Sequence, residues 1–292
     1  MNLREIFTTS LQQLVELRPK LASPQAGSRS SSQASPQAID PEAIHDYRVA
    51  LRTLRSNLRS LRRFFEKPKA LKDVLDDLGW LDNLIGQARD ADVLINTLNA
   101  ATSGITSAAT PNTTAITPKD LADLGRLLID NRDSARVKMV VGLGSKRANQ
   151  ILGETQAFIA TAQFKPKLTK HLPVELKKQA KSTFDKFAAT TKKLDFETAK
   201  KRQIHSLRIE VKRARYLLEA VTPVLKKVPE KQLAKLTAAQ TLLGDFNDLV
   251  VAEAWVADQT KRKNLAPQTA KALRTAMRQQ QRELRRQLAA QL

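Results

Sequence analysis

One helical segment is written twice in this chain. Ile44-His45-Asp46-Tyr47-Arg48-Val49, continuing to Leu61, is answered by Ile204-His205-Ser206-Leu207-Arg208-Ile209, continuing to Val221. His45, Arg48, Arg52 and Arg55 recur as His205, Arg208, Lys212 and Arg215 at identical spacing. Steps of three, four and three residues keep four side chains in one row along an α-helix. An internal repeat constrains architecture before propensity does, because each copy builds one supersecondary unit that packs on its neighbour. The correspondence runs further. Leu84-Ile85-Gly86-Gln87-Ala88-Arg89-Asp90 matches Leu242-Leu243-Gly244-Asp245-Phe246-Asn247-Asp248, and Arg132 and Arg136 match Arg278 and Arg282 in pattern. Each half therefore reads as a helical bundle unit, residues 1–165 and 166–292 of a single domain 1–292, and the pair is expected to pack about a pseudo-twofold axis. Such packing would bring the two basic rows towards a shared space.

Helical periodicity and helix starts recur from end to end. Met1 to about Leu21 reads as a first helix. Asp40-Pro41-Glu42 opens the next with an N-cap, a proline at N1 and an acid at the positive end of the dipole. Its apolar residues Ile44, Tyr47, Leu51, Leu54, Leu58 and Leu61 alternate three and four apart, which is a bundle seam. After Pro68 a third helix is expected over about Lys69 to Ala100. Thr117-Pro118-Lys119-Asp120 starts a fourth, which runs to about Val141 and is followed by one from Ser145 to about Ala162. Further helices are expected from Pro173 towards Leu194, from Thr198 to Lys226, after Pro229, and from Pro267 to the end. Ser23–Ala38 and Ala101–Ile116, rich in Ser, Thr and Ala, read as polar loops.

Charge decides what the rows are for. The 292 residues hold 50 Lys+Arg against 29 Asp+Glu, a net charge of +21. That excess concerns partners rather than fold: nucleic acid, anionic membrane or another polyanion. Between Ile44 and Phe65 there are six arginines and a single acid, Asp46. A solvated helix face interleaves acids for pairing with its cations. This one does not, and the balance favours anion binding over an ordinary surface. Arg59 extends the first row, whereas its counterpart in the second copy is Glu219, so that end is asymmetric. His45 and His205 read first as phosphate contacts and second as structural histidines. Arg132, Arg136, Arg278 and Arg282 fit solvated faces and ligand contacts equally well. Gly86 and Gly244 weaken a helix interior and point to close approach there, and Asp90 and Asp248, four residues on, are candidate supports that orient inward arginines.

Other classes are disfavoured by composition. With no cysteine there are no disulfides and no thiolate metal sites. No second histidine lies near either row, and the surrounding cations oppose a divalent metal, so no metal and no cofactor is expected. No stretch approaches a membrane span, which makes a cytoplasmic protein the expectation. There is no glycine-rich phosphate loop, so an enzyme of phosphoryl transfer is not expected. Aromatic content is 4%, and only Tyr47 and Tyr216 accompany the rows. Recognition of single-stranded bases by stacking is thus poorly supported, although nucleic-acid backbone binding stays open as the alternative.

The paired Ile-His-x-x-Arg helices, the Gly-x-x-Arg-Asp-Ala-Asp-Val run from Gly86 to Val93, the Gly-x-x-Asn-Asp run from Gly244 to Asp248 and the break Leu143-Gly144-Ser145-Lys146-Arg147 together resemble the conserved histidine α-helical domain, the CHAD family. The resemblance covers essentially the whole chain. It implies an all-α fold of two pseudo-twofold-related four-helix bundle units around a central basic cavity, binding of inorganic polyphosphate without catalysis, and association with polyphosphate granules. By motif, the implied ligand residues are His45, Arg48, Arg52, Arg55, His205, Arg208, Lys212 and Arg215; Arg59, Arg132, Arg136, Arg278 and Arg282 join them at the margins. Many relatives carry a triphosphate-tunnel domain, and no acidic-lined β-strand series of that kind is visible here.

Overall fold

The computed structural model describes residues 2–22, 39–107, 116–224 and 230–292. They form helices α1 (Leu3–Leu17), α2 (Pro19–Ala22), α3 (Pro41–Ser60), α4 (Ala70–Ser107), α5 (Pro118–Leu143), α6 (Lys146–Thr161), α7 (Pro166–Thr169), α8 (Leu172–Lys192), α9 (Lys201–Val221), α10 (Glu230–Lys261) and α11 (Pro267–Gln291). Among the described residues there is no β-strand, only one isolated antiparallel bridge between Phe65 and Phe164. The fold is all-α. No helix among these residues is long and apolar enough to cross a membrane.

Two compact units make up the chain: Met1–Arg89 with Asp133–Asp185 and Arg213–Leu233, and Asp90–Arg132 with Lys186–Lys212 and Ala234–Leu292. Their boundaries fall inside α4, α5, α8, α9 and α10, so each unit draws on both copies of the sequence repeat. The compact units are thus a different partition from the sequence halves 1–165 and 166–292.

In the first unit α3 follows its sequence pattern closely. Asp40 caps it by accepting from the Glu42 N–H at 2.9 Å, Pro41 occupies the first turn, and Ile44, Tyr47, Leu51, Leu54 and Leu58 are all fully buried. That seam packs on α1, whose Leu3, Ile6, Phe7, Leu11 and Leu14 face inward. At the far end of α3 the chain tightens into a 3-10 turn at Arg62–Phe64. There Phe65 stacks on Phe7 (5.5 Å between ring centroids) and on Phe158 (5.6 Å), and lies 5.1 Å from Phe164. Backbone bonds from Glu66 N–H to the Gln163 carbonyl and from Lys165 N–H to the Phe64 carbonyl clamp the two segments that carry these rings. Arg18 ties the end of α1 to the α5–α6 junction, donating to the Leu143 carbonyl at 2.6 Å and to Asn149 Oδ1 at 2.7 Å.

The second unit is a bundle of α4, α5, α10 and α11 segments. Leu94, Leu98 and Ala101 meet Leu124 and Leu128, Leu249, Ala252 and Val256, and Leu273 and Met277. The helix start expected at Thr117 is built as a reciprocal cap: the Thr117 hydroxyl accepts from the Asp120 N–H, and the Asp120 carboxylate accepts from the Thr117 N–H.

Several expected boundaries are corrected. The first helix stops at Leu17 and resumes as α2, because Pro19 cannot continue the hydrogen-bond ladder. Helix α4 runs on to Ser107 where a loop was expected from Ala101: Ala101 is fully buried and Ile105 packs beside it in the second core, and this burial overrides the Ser/Thr composition. The remainder of that loop, residues 108–115, and the expected loop 23–38 lie outside the described residues, as does Pro229. Helix α9 begins at Lys201 rather than Thr198, since Asp195 turns the chain first by accepting from the Glu197 N–H and the Thr198 hydroxyl. It ends at Val221, with a 3-10 turn through Pro223.

Phe65 should dominate the stability of the first unit. Phe65→Ala is expected to cost ~3–5 kcal/mol, with Phe158→Ala, at a half-buried ring, costing less. Urea denaturation followed by circular dichroism checks this, and equal midpoints for the two variants would show that the ring cluster is not the keystone.

Candidate anion-binding rows

Helix α3 presents its cations to α4 in a fixed register. Arg52 Nε donates to Asp82 Oδ1 at 3.1 Å, and Arg55 Nη1 donates to Asp82 Oδ2, so a single carboxylate holds two guanidiniums. Gly79 and Gly86 lie on the same face of α4, three residues before and four after Asp82. A Cβ at Gly79 would stand 3.1 Å from Arg55 Nη2, and one at Gly86 would stand 3.4 Å from Arg48 Nη2. Each step forward along α3 (Arg48, Arg52, Arg55) is thus matched by the same step backward along α4 (Gly86, Asp82, Gly79). The row rests on an antiparallel strip of glycine, aspartate and glycine.

The row also extends beyond one helix. Desolvation pushes the pKa of Arg59 down, and the charges of Arg55 and Arg213 push it further, against the pull of Asp76 and Asp82. Arg213, on the last part of α9, therefore belongs to the same crowded positive field in the first unit. Sequence reasoning missed it because it falls between the repeated positions; the only signal was its place in the run Lys212-Arg213-Ala214-Arg215. Next to it, Arg215 Nε donates to Glu219 Oε1 at 2.7 Å. The residue that takes the place of Arg59 in the repeat thus neutralises its own helix.

In the second unit His205 Nδ1 pairs with Asn247 Oδ1 at 3.1 Å. This gives one imidazole nitrogen a fixed partner and leaves Nε2 as the other contact atom. Counting the same antiparallel register from this pair places Gly244 opposite Arg208 and Gln240 opposite Lys212. The glycine is retained, but a Cβ on Gly244 would meet nothing within 4 Å. Close approach, expected at both glycines, is realised at Gly86 alone, where the Arg48 guanidinium takes up the space. Asp248 senses the charge of Arg208, but burial dominates and, with Asp245 and Asp90 adding to it, raises its pKa. The acid that holds the first row is Asp82, which sequence reading did not single out; Asp90 lies in the second unit.

The remaining predicted residues are placed differently. Arg136 is only 2% exposed and donates through Nη1 to the Ile39 carbonyl at 3.0 Å, tying α5 to the residue that precedes the α3 cap. It is a structural arginine. Arg278 Nε donates to Glu253 Oε1 at 2.7 Å, while Arg132 is half-buried and Arg282 exposed on their long helices. Glu253 is itself buried and also accepts from Lys201 at 2.5 Å, with Arg274 Nε 3.8 Å away. Near the start of α3, the ligand atoms of Glu42, His45 and Asp46 lie within 4.8 Å of one another, so two carboxylates stand beside His45. Tyr47 is fully buried, with its phenol pushed up to about 12 by desolvation, and Tyr216 is buried as well. Neither ring of the rows is placed to stack on a base.

Glu253 yields a test of how the second unit holds its cations. Burial would raise its pKa, yet the bonds from Lys201 and Arg278 outweigh that and lower it from 4.5 to about 2. A depressed carboxylate stabilises the fold above its ordinary value, and the contribution disappears as pH falls from about 4.5 to about 2. Because Lys201 and Arg278 are half in solvent, the contribution is on the order of 2 kcal/mol. Glu253→Gln should lose that much at neutral pH, and its stability relative to wild type should recover across this acid window. A constant gap between the two curves from pH 5 to 2 would show that Glu253 does not carry the effect.

A family model for the CHAD domain matches residues 32–257. Two solved structures share the fold: the crystal structure of the CHAD domain from the plant Ricinus communis, 21% identical with TM-score 0.73, covering 99% of this chain and 90% of that one, and PptA from Streptomyces chartreusis, 18% identical with TM-score 0.73, covering 99% and 96%. No curated protein matches the sequence. With most of its length matched by the family model and its all-α fold shared with these structures, the chain belongs to the CHAD-domain family.

Proposed function

We propose that this protein binds inorganic polyphosphate through the cationic rows of α3 and α9, without catalysis and without a cofactor. The contacts would come from His45, Arg48, Arg52, Arg55 and Arg59, joined by Arg213 and Arg215, and from His205, Arg208 and Lys212. Arg132, Arg278 and Arg282 extend the field along the long helices. Association with polyphosphate granules in the cytoplasm follows from this reading.

The observation that carries it is the construction of the α3 row. Guanidiniums on successive turns are seated against α4 by two glycines and one carboxylate, so the fold spends helix stability to hold cations side by side. From Arg48 to Arg59 the row spans roughly 16 Å of helix axis. A linear polyanion can face that length at every turn, whereas a single small phosphate can engage only part of it. Family membership supports the same reading. Nucleic-acid backbone binding is the alternative, and burial of Tyr47 and Tyr216 weighs against base stacking within it.

Separating the rows from net charge is the decisive experiment. Arg48→Ala, Arg52→Ala, Arg208→Ala and Lys212→Ala combined remove four charges of the +21 excess. As direct phosphate contacts each is worth ~1.5–3 kcal/mol, so affinity for polyphosphate should fall by orders of magnitude. The comparison variant, Lys177→Ala, Lys178→Ala, Lys181→Ala and Lys186→Ala, should bind nearly as wild type. Equal losses would mean a diffuse basic surface. Affinity should also drop steeply with salt through counterion release, and polyphosphate should outcompete both duplex DNA and a mononucleotide at fixed ionic strength.

A further inference from the structure

We propose that Asp82 is the positioning residue of the α3 row: it fixes the guanidiniums of Arg52 and Arg55 so that a polyanion meets a preset array rather than two mobile side chains. This inference rests on the polyphosphate reading above and names how one of its two rows is prepared.

Geometry distinguishes Asp82 from an ordinary ion-pair partner. Its two oxygens serve two different arginines, one turn apart, through Arg52 Nε and Arg55 Nη1. All three side chains are mostly buried, Asp82 being 15% exposed and the arginines 30% and 21%. On α4, glycines stand on the same face on both sides of the carboxylate, with the Arg55 guanidinium packed tightly over Gly79 and the Arg48 guanidinium lying over Gly86. An ion pair alone does not call for glycine, which weakens the helix; at Gly79 a Cβ would crowd the Arg55 fork at 3.1 Å, whereas at Gly86 it would meet Arg48 Nη2 in ordinary contact at 3.4 Å. With Arg52 bound through Nε, Arg55 through Nη1 and the Arg55 Nε buried, the Nη groups of the two forks are the ones left for phosphate oxygens.

The second copy lacks this device. In register, Gln240 stands where Asp82 does, and its Oε1 is buried without a hydrogen-bond partner; Thr237 replaces Gly79.

The sign of one substitution tests this. Asp82→Asn removes a negative charge, so a protein that attracts polyphosphate by field alone should bind more tightly. A positioning residue makes the opposite demand: two long side chains must then be ordered on binding, and affinity should fall about tenfold. Asp73→Asn, an exposed acid in the first turn of α4 and nine residues before Asp82, supplies the charge-matched control and should bind as tightly as wild type or slightly more. Asp82→Glu keeps the charge while moving the carboxylate by one methylene, and should bind about threefold more weakly, an intermediate loss. Titration calorimetry with linear polyphosphate of defined length reads all four proteins, and circular dichroism shows each folded at the titration temperature. Nitrogen-15 spectra should show the Arg52 Nε–H losing its ordered signal in Asp82→Asn, a change that loosened packing elsewhere would not produce. Tighter binding by Asp82→Asn, or wild-type affinity in Asp82→Glu, would overturn the positioning role while leaving polyphosphate binding intact. Failure of the wild type itself to bind polyphosphate would overturn both.

Discussion

Six arginines between Ile44 and Phe65 repel one another, and much of the first unit is arranged around that repulsion. Two unit charges ~4 Å apart in a partly wet protein environment oppose each other by about 4 kcal/mol, so a row of guanidiniums does not hold itself in place. Asp82 supplies a counter-charge to two of them, Gly79 and Gly86 admit the forks against the α4 backbone, and the apolar seam from Ile44 to Leu61 anchors the helix that bears them. Where the counter-charge thins out, at Arg59, desolvation and the nearby Arg55 and Arg213 lower the arginine's affinity for its proton. The aromatic cluster at Phe65 closes the same end of α3 and contributes the apolar burial that offsets this cost.

Charge in the second unit is organised by the same means with different parts. Glu253, buried on α10, gathers Lys201 from α9 and Arg274, Arg278 and Gln281 from α11, and the cations keep it ionised to about pH 2. Asp245 and Asp248, by contrast, are pushed up by burial. In a chain with 29 acids for 50 bases, the placement of the few interior carboxylates sorts the cations. Those around Glu253 serve packing between helices. Those on Asp82 are anchored through part of the guanidinium, Arg52 by Nε and Arg55 by Nη1.

Local periodicity made much of this legible in advance. The rows, the seam of α3, the caps at Asp40 and Thr117, the helix start near Ser145 and the all-α class all follow from spacing within one helix, where each residue's direction is set by its neighbours in sequence. What remained hidden depends on pairing between helices. Asp82 matters only once α4 lies antiparallel to α3 in one register, and Arg213 only once the end of α9 joins the first unit. Arg136 fitted a solvated face and a ligand contact equally well by pattern, and its burial and its bond to the Ile39 carbonyl appear only once α5 is packed. Helix α4 outran its expected end because Ala101 and Ile105 had a core to enter, which composition alone does not reveal.

The repeat preserves each row more faithfully than it preserves the bed beneath it. Arg52 and Arg55 are forks held by a carboxylate, while Lys212, at the place of Arg52, is a compact charge on a flexible stem, facing a glutamine in register. Arg215 donates through Nε to Glu219 on its own helix. The first row therefore rests on a counter-charge and glycines along α4, whereas the second has glutamine and threonine at the positions of its register that match Asp82 and Gly79. On the proposed reading, a linear chain of equivalent phosphates can engage the α3 row by itself, over the roughly 16 Å of helix axis from Arg48 to Arg59. Divergence in the second copy carries no penalty for a ligand read in that way.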